Sequence, residues 1–188
     1  MEILTKAELQ VRYDEIIEKI KAGLVFIHPT DTIYGLSCDA TNAGAVEQIH
    51  KLKERTTKPF SVWAPSIDWI RKNCVIDEKA EQWLQKLPGP YTLILKLKKK
   101  NAIAENVILG SNTIGIRYPD HWFRIIVERL GLPLVTTSAN KTGQPFMTTI
   151  ENLDSDVEKG VEFIIYEGLK EARPSKIVNI VEEKVQER

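Results

Sequence analysis

Apolar residues recur along this chain at two spacings, helical and alternating, with polar joints between them. Thr5 and Glu8 form the pattern of a capping box, and Leu9, Tyr13, Ile16, Ile17 and Ile20 follow at helical spacing. That helix is expected to end at Gly23. Leu24-Val25-Phe26-Ile27 reads as a buried strand, and Pro29-Thr30-Asp31-Thr32 as a polar turn. Val46, Ile49 and Leu52 share one face of a helix over 45–52, and 60–64 reads as a strand. Two short helices are expected between Ser66 and Leu87, the second capped by Asp77. Pro88-Gly89-Pro90 breaks the chain before a long strand over 91–97. Further strands are predicted at 113–117, 132–136, 163–166 and 177–181. Asp120 is expected to cap a helix reaching Leu130, and Thr149 to open a short one.

Strands and helices alternate here without strict βαβ regularity. This predicts an α/β fold on a sheet with both parallel and antiparallel neighbours. The 188 residues, 43% of them hydrophobic, suffice for one good core, so the chain reads as a single domain over 1–188. Lys and Arg balance Asp and Glu at 26 each, which argues against a protein built to neutralise duplex nucleic acid. Basic residues must then act locally, on a nucleotide or another small anion. Cys38 and Cys74 make no disulfide framework, and the scattered His28, His50 and His121 suggest no zinc site. The N-terminus lacks the pattern of a signal peptide, and no apolar run is long enough to span a bilayer. The expectation is a cytoplasmic protein with no membrane partner.

The candidate chemistry sits where predicted elements end. Lys53-Glu54-Arg55-Thr56-Thr57-Lys58 places three cations within six residues. Arg offers a planar fork to phosphate or carboxylate and Lys a mobile point charge. The same pattern also suits a helix C-terminus, where cations favour the macrodipole. Thr136-Thr137-Ser138-Ala139-Asn140 follows an apolar strand with hydroxyls and an amide that grip polar ligands without adding charge. It equally fits an ordinary turn. Asp31 reads as a turn acceptor, a magnesium ligand or a base, and His28 as a packed residue. There is no Walker A motif, GxGxxG or nucleophile elbow.

Taken in order, these segments resemble the YrdC-like threonylcarbamoyl-AMP synthase family. Pro29-Thr30-Asp31-Thr32-Ile33-Tyr34-Gly35-Leu36 is similar to its Pro-Thr-(Glu/Asp)-Thr-x-Tyr-Gly-Leu signature. Lys53-Glu54-Arg55 resembles its Lys-x-Arg motif, and Pro88-Gly89-Pro90-Tyr91-Thr92-Leu93 its Pro-Gly-Pro-x-Thr-Leu segment. Arg117-Tyr118-Pro119-Asp120-His121 resembles its Arg-x-Pro-x-His segment, Ser138-Ala139-Asn140 its Ser-x-Asn motif, and Pro174-Ser175 with Ile177-Val178 its late strand. Lys176, Trp63 and the short link before Pro59 depart from the family pattern.

The resemblance implies a twisted mixed sheet with helices around a large basic cavity, in a single-domain member without a C-terminal extension. It implies a nucleotidyltransferase that makes threonylcarbamoyl-AMP and pyrophosphate from L-threonine, bicarbonate and ATP, the product passing to a tRNA threonylcarbamoyl transferase. Lys53 and Arg55 would be catalytic and, with Thr137, Ser138, Asn140 and Arg188, hold the nucleotide. Thr32, Arg117 and Ser175 would hold the threonine. Mg2+ would accompany ATP, with no protein-held metal. The alternatives are a paralogue of the same fold that binds RNA, even weakly, or one that transfers a different carbamoyl group.

Overall fold

Alternation within the strands builds one sheet with two unlike faces. The computed structural model describes residues 1–55 and 57–186. Ten strands pair in it: β1 (Glu2–Leu4), β2 (Phe26–His28), β3 (Gly35–Asp39), β4 (Ser61–Trp63), β5 (Tyr91–Lys96), β6 (Thr113–Arg117), β7 (Leu134–Ser138), β8 (Phe163–Ile165), β9 (Lys176–Asn179) and β10 (Lys184–Gln186). Their order across the sheet is β1-β8-β2-β3-β7-β4-β6-β5-β9-β10. The β1–β8, β2–β8, β4–β6 and β5–β9 pairs are parallel, and the other neighbours antiparallel. The helices are α1 (Lys6–Val11), α2 (Tyr13–Lys21), α3 (Ala43–Leu52), α4 (Ile67–Asn73), α5 (Glu78–Leu84), α6 (Glu105–Ile108), α7 (Arg124–Leu130) and α8 (Ser155–Lys159). Among the described residues no helix is long and apolar enough to cross a membrane.

One face of the sheet is apolar along its length. Leu36, Val62, Leu93, Leu95, Ile116 and Val135 pack there with Val46 and Ile49 of α3, Ile70 of α4, Leu84 of α5 and Val107 of α6. The opposite face is divided. At one end Phe26, Trp63, Leu134 and Phe163 meet Ile16 and Ile20 of α2 and Val127 of α7. Each large apolar side chain buried in these layers contributes roughly 1.5–3 kcal/mol. Further along that face the strands carry small or polar residues, with Ser37 opposite Thr136 and Ser61 opposite Gly115. A cavity opens over this polar stretch.

The capping box at Thr5 and Glu8 forms, and Ser66 and Asp77 cap α4 and α5. The single helix expected up to Gly23 is two, because Arg12 (φ −102°, ψ 25°) breaks the turn. Arg12 gains ion pairs with Glu2 and Glu15 at that bend. Asp120 caps nothing. The segment Pro119–Phe123 turns first, and α7 begins after Phe123 without a side-chain cap. β1, β3, β10, α6 and α8 were not predicted. β3 follows directly on a segment read as a turn, and its polar Ser37 and Asp39 mask the strand. β7 runs two residues beyond its predicted end, so Thr137 and Ser138 belong to the strand itself.

Candidate functional site

The cavity holds about 430 Å3. Arg55, Lys58 and Arg117 reach its lining, and among the described residues no Asp or Glu does. Hydroxyls of Thr32, Ser61, Thr92, Thr136 and Ser175 surround these cations. Two glycines keep the floor open. A Cβ on Gly35 would come within 2.6 Å of Thr136 Cγ2, and one on Gly115 within 3.1 Å of Ser61 Cβ. A cationic hollow of this size, rich in hydroxyls, suits an anionic ligand. Among the described residues no group of three or more His, Cys, Asp or Glu could hold a metal ion.

The end of α3 supplies the first cation. Lys53 caps the helix, and Glu54 takes the left-handed conformation with φ 50°. Glu54 N–H donates to Lys51 O and Arg55 N–H to His50 O, which is the Schellman pattern. This turn sends Lys53 and Arg55 to different tasks. Arg55 donates to Lys58 O and Pro59 O, covers the Phe60 ring at 4.9 Å and lines the cavity. Lys53 does not line the cavity. Its Nζ donates to Ser138 O (2.7 Å), Asn140 O (2.8 Å) and Asn140 Oδ1 (2.9 Å). Burial, with the Arg55 charge second, pushes this ammonium down to about 7.

The 138–142 segment is thereby fastened to α3. Thr142 N–H donates to Lys53 O, and Lys141 pairs with Glu54 and Asp156. Ser138 Oγ–H donates to Asn140 Oδ1, and Asn140 Nδ2–H to Gln144 O. Thr137 and Ser138 line the cavity, whereas Asn140 stands behind the wall they form.

Arg117 ends β6 and pairs with Asp31 (2.5 Å), their side chains only 8% and 11% exposed. The pair is incompletely satisfied, since Arg117 Nε and Asp31 Oδ2 are buried without a hydrogen-bond partner. Thr30 Oγ1–H donates to Ile33 O and accepts from the Thr32 and Ile33 N–H groups, which shapes the turn that presents Thr32. Ser175, just before β9, lies 2.7 Å from Thr92 Oγ1 of β5.

Six of the expected site residues therefore line one hollow: Thr32, Arg55, Arg117, Thr137, Ser138 and Ser175. Lys53 and Asn140 brace its wall from behind. Arg188 lies outside the described residues. Sequence reasoning assigned no role to Ser61 or Thr92, and it named Thr136 only as part of the 136–140 segment; all three line the hollow. The signal available was a small hydroxyl residue set beside apolar neighbours in a predicted strand. Trp63, a departure from the family pattern, is fully buried against His28 and Phe123 and does not reach the hollow. A second hollow of about 540 Å3 lies at the sheet edge between Asp77 and Glu183. Its charges are mixed and no hydroxyl residue lines it among the described residues, so it lacks the converging groups of the first.

A relative from Methanocaldococcus jannaschii, provisionally named threonylcarbamoyl-AMP synthase, is 38% identical over 89% of this chain and 80% of its own. The threonylcarbamoyl-AMP synthase of Idiomarina loihiensis is 30% identical over 85% of this chain and 88% of its own. The mouse enzyme of that name is 31% identical over 72% of this chain, which spans only 48% of it. Among solved structures, Sua5 of P. abyssi superposes with a TM-score of 0.85 at 26% identity, covering 98% of this chain and 56% of that one. YciO of E. coli shares the fold, with a TM-score of 0.84 at 23% identity over 99% of this chain and 92% of its own. The profile named Sua5/yciO/yrdC, described as telomere recombination, matches residues 18–187, and the chain belongs to that family.

Proposed function

We propose that this chain is an L-threonylcarbamoyladenylate synthase. L-threonine, bicarbonate and ATP enter; threonylcarbamoyl-AMP, pyrophosphate and water leave. The observation that carries this reading is the cationic, hydroxyl-lined hollow, with Arg55 and Lys58 on one side and Arg117 with Thr32 on another. The names borne by relatives that this chain covers over most of their length support it.

The chemistry asks little covalent work of the protein. The amine of threonine adds to bicarbonate, or to the carbon dioxide it releases, giving a carbamate. A carbamate oxygen then attacks the α-phosphorus of ATP, and pyrophosphate departs. The residues serve by positioning and by stabilising charge as it develops. Arg55 and Lys58 face the phosphates. Arg117, pre-oriented by Asp31, takes the threonine carboxylate, and Thr32 and Ser175 hold the rest of the amino acid. Thr137 and Ser138 bind the nucleotide, on a wall that Lys53 and Asn140 keep in shape. Magnesium comes with ATP as part of the substrate, held by phosphate oxygens and water. The product would pass to a separate tRNA threonylcarbamoyl transferase.

The test is to incubate the purified chain with ATP, bicarbonate and each amino acid in turn, and to follow pyrophosphate. Release that needs both threonine and bicarbonate is expected. No release under any combination would overturn the reading. Steeply salt-dependent RNA binding in its place would point to the nucleic-acid alternative.

A further inference from the structure

One buried titratable group takes no part in the chemistry above. His28 is fully buried and does not line the cavity. Its ring stacks on Phe123 with centroids 4.2 Å apart and touches Trp63 and Phe26. Yet both nitrogens are engaged. Nδ1 lies 2.9 Å from Pro29 O, and Nε2 lies 2.8 Å from Ser37 Oγ. Ser37 Oγ in turn lies 3.0 Å from Thr136 Oγ1, and Thr136 lines the cavity floor.

The direction of every bond in this chain follows from one end. A carbonyl oxygen only accepts, so Nδ1 carries the proton and donates to Pro29 O. Burial pushes the imidazole pKa down to about 3, so the ring is neutral and Nε2 accepts. Ser37 therefore spends its one hydroxyl hydrogen on His28. The Ser37–Thr136 contact then requires Thr136 to donate, which leaves Thr136 Oγ1 with lone pairs only. The Thr136 hydroxyl is thus turned into an acceptor from behind. The methyl groups of Thr136 and Thr30 bound the space above Gly35.

We propose that His28, through Ser37, sets the hydrogen-bond polarity of Thr136 so that this end of the cavity reads an N–H donor, the amino group of the amino-acid substrate. His28 is a positioning residue that never touches the ligand. The polarity matches a zwitterion, with the acceptor hydroxyl of Thr136 for the ammonium and the Arg117 guanidinium for the carboxylate. This rests on the functional reading above for the identity of the ligand.

Calorimetric binding of L-threonine and of 3-hydroxybutyrate, which lacks the amine, separates the relay from general packing. His28→Phe keeps the ring stack and removes the acceptor. Ser37→Ala cuts the chain by one oxygen and supplies the same test should His28→Phe not fold. Both should weaken threonine binding about tenfold, the scale of one hydrogen bond to a charged group, and leave 3-hydroxybutyrate and ATP binding unchanged. His28→Gln, whose amide can accept from Ser37, should restore most of the loss. Nitrogen chemical shifts of His28 should report the neutral Nδ1–H tautomer near pH 7. Equal losses for threonine and 3-hydroxybutyrate, an Nε2–H tautomer, or unchanged threonine binding in a folded variant would overturn the proposal. A wild type that binds no threonine defeats the functional reading itself. A wild type that binds it, with variants that do so equally well, defeats only the relay.

Discussion

Arg117 illustrates how a buried charge serves a site and burdens the fold at once. Its partner Asp31 is nearly as buried, and each keeps one polar atom without a partner. Taking Arg117 away strands the carboxylate. Arg117→Met should cost about 3–5 kcal/mol in denaturant melts, whereas Arg117→Met combined with Asp31→Leu should cost clearly less. Threonine binding should be lost in both. His28 offers a pH signature of the opposite kind. Its folded pKa lies near 3 against an ordinary value of 6.5, so the unfolded chain takes up the proton first. The stability that its burial contributes is complete above pH 6.5 and is lost as pH falls from 6.5 toward 3. The stability difference between wild type and His28→Gln, followed by urea melts across that range, should shrink on acidification.

At the scale of elements, the end of α3 and the strand-to-loop passage after β7 act as one unit. The Schellman turn lets neighbouring cations part, Lys53 into the wall and Arg55 into the hollow. Lys53→Met takes the lysine donor from the Ser138 and Asn140 carbonyl oxygens, so it should lower both the melting temperature and turnover. Arg55→Ala should abolish pyrophosphate release with a smaller loss of stability. The two variants, compared by thermal melts and the pyrophosphate assay, separate a bracing cation from a ligand-facing one. Glu54 occupies the left-handed position that turn requires, at some cost for a residue with a Cβ. Glu54 is an exposed residue paired only loosely with Lys141, at 3.3 Å. Glu54→Gly should therefore raise stability by about 0.5–1 kcal/mol, read from the melting temperature, with turnover unchanged.

For the whole molecule, the sheet gathers residues from segments far apart in sequence onto one floor. Thr32, Arg55, Thr92, Arg117, Thr136 and Ser175 come from six separate stretches. Ligands that bridge them bind the folded chain and not the unfolded one. Threonine and ATP added together should raise the melting temperature, by an amount equivalent to about 2.7 kcal/mol for a ligand at a hundred times its dissociation constant. Each alone should give a smaller shift, and an amino acid that is not a substrate none.

Much was legible in the chain by itself, because local physics decides it. Alternation and helical spacing placed most strands and helices, and Thr5, Ser66 and Asp77 marked helix starts through their own side chains. The order of the polar segments identified Thr32, Arg55, Arg117, Ser138 and Ser175, all of which line the hollow. Other features belong to no local stretch. β1 and β10 are three-residue edge strands whose formation rests on pairing with β8 and β9. The break at Arg12 comes with ion pairs that only the folded chain brings together. Lys53 and Arg55 look equivalent in sequence, and only the turn at Glu54 and the oxygens of the 138–140 segment separate them. His28 reads as a packed aromatic in a strand, and packed it is. Its hydrogen bond to Ser37 joins two strands across a fold-dependent register, Phe26 opposite Ser37 and Ser37 opposite Thr136. Spacing along the chain determined which residues could act, while distances between strands decided which of them face the ligand and with what polarity.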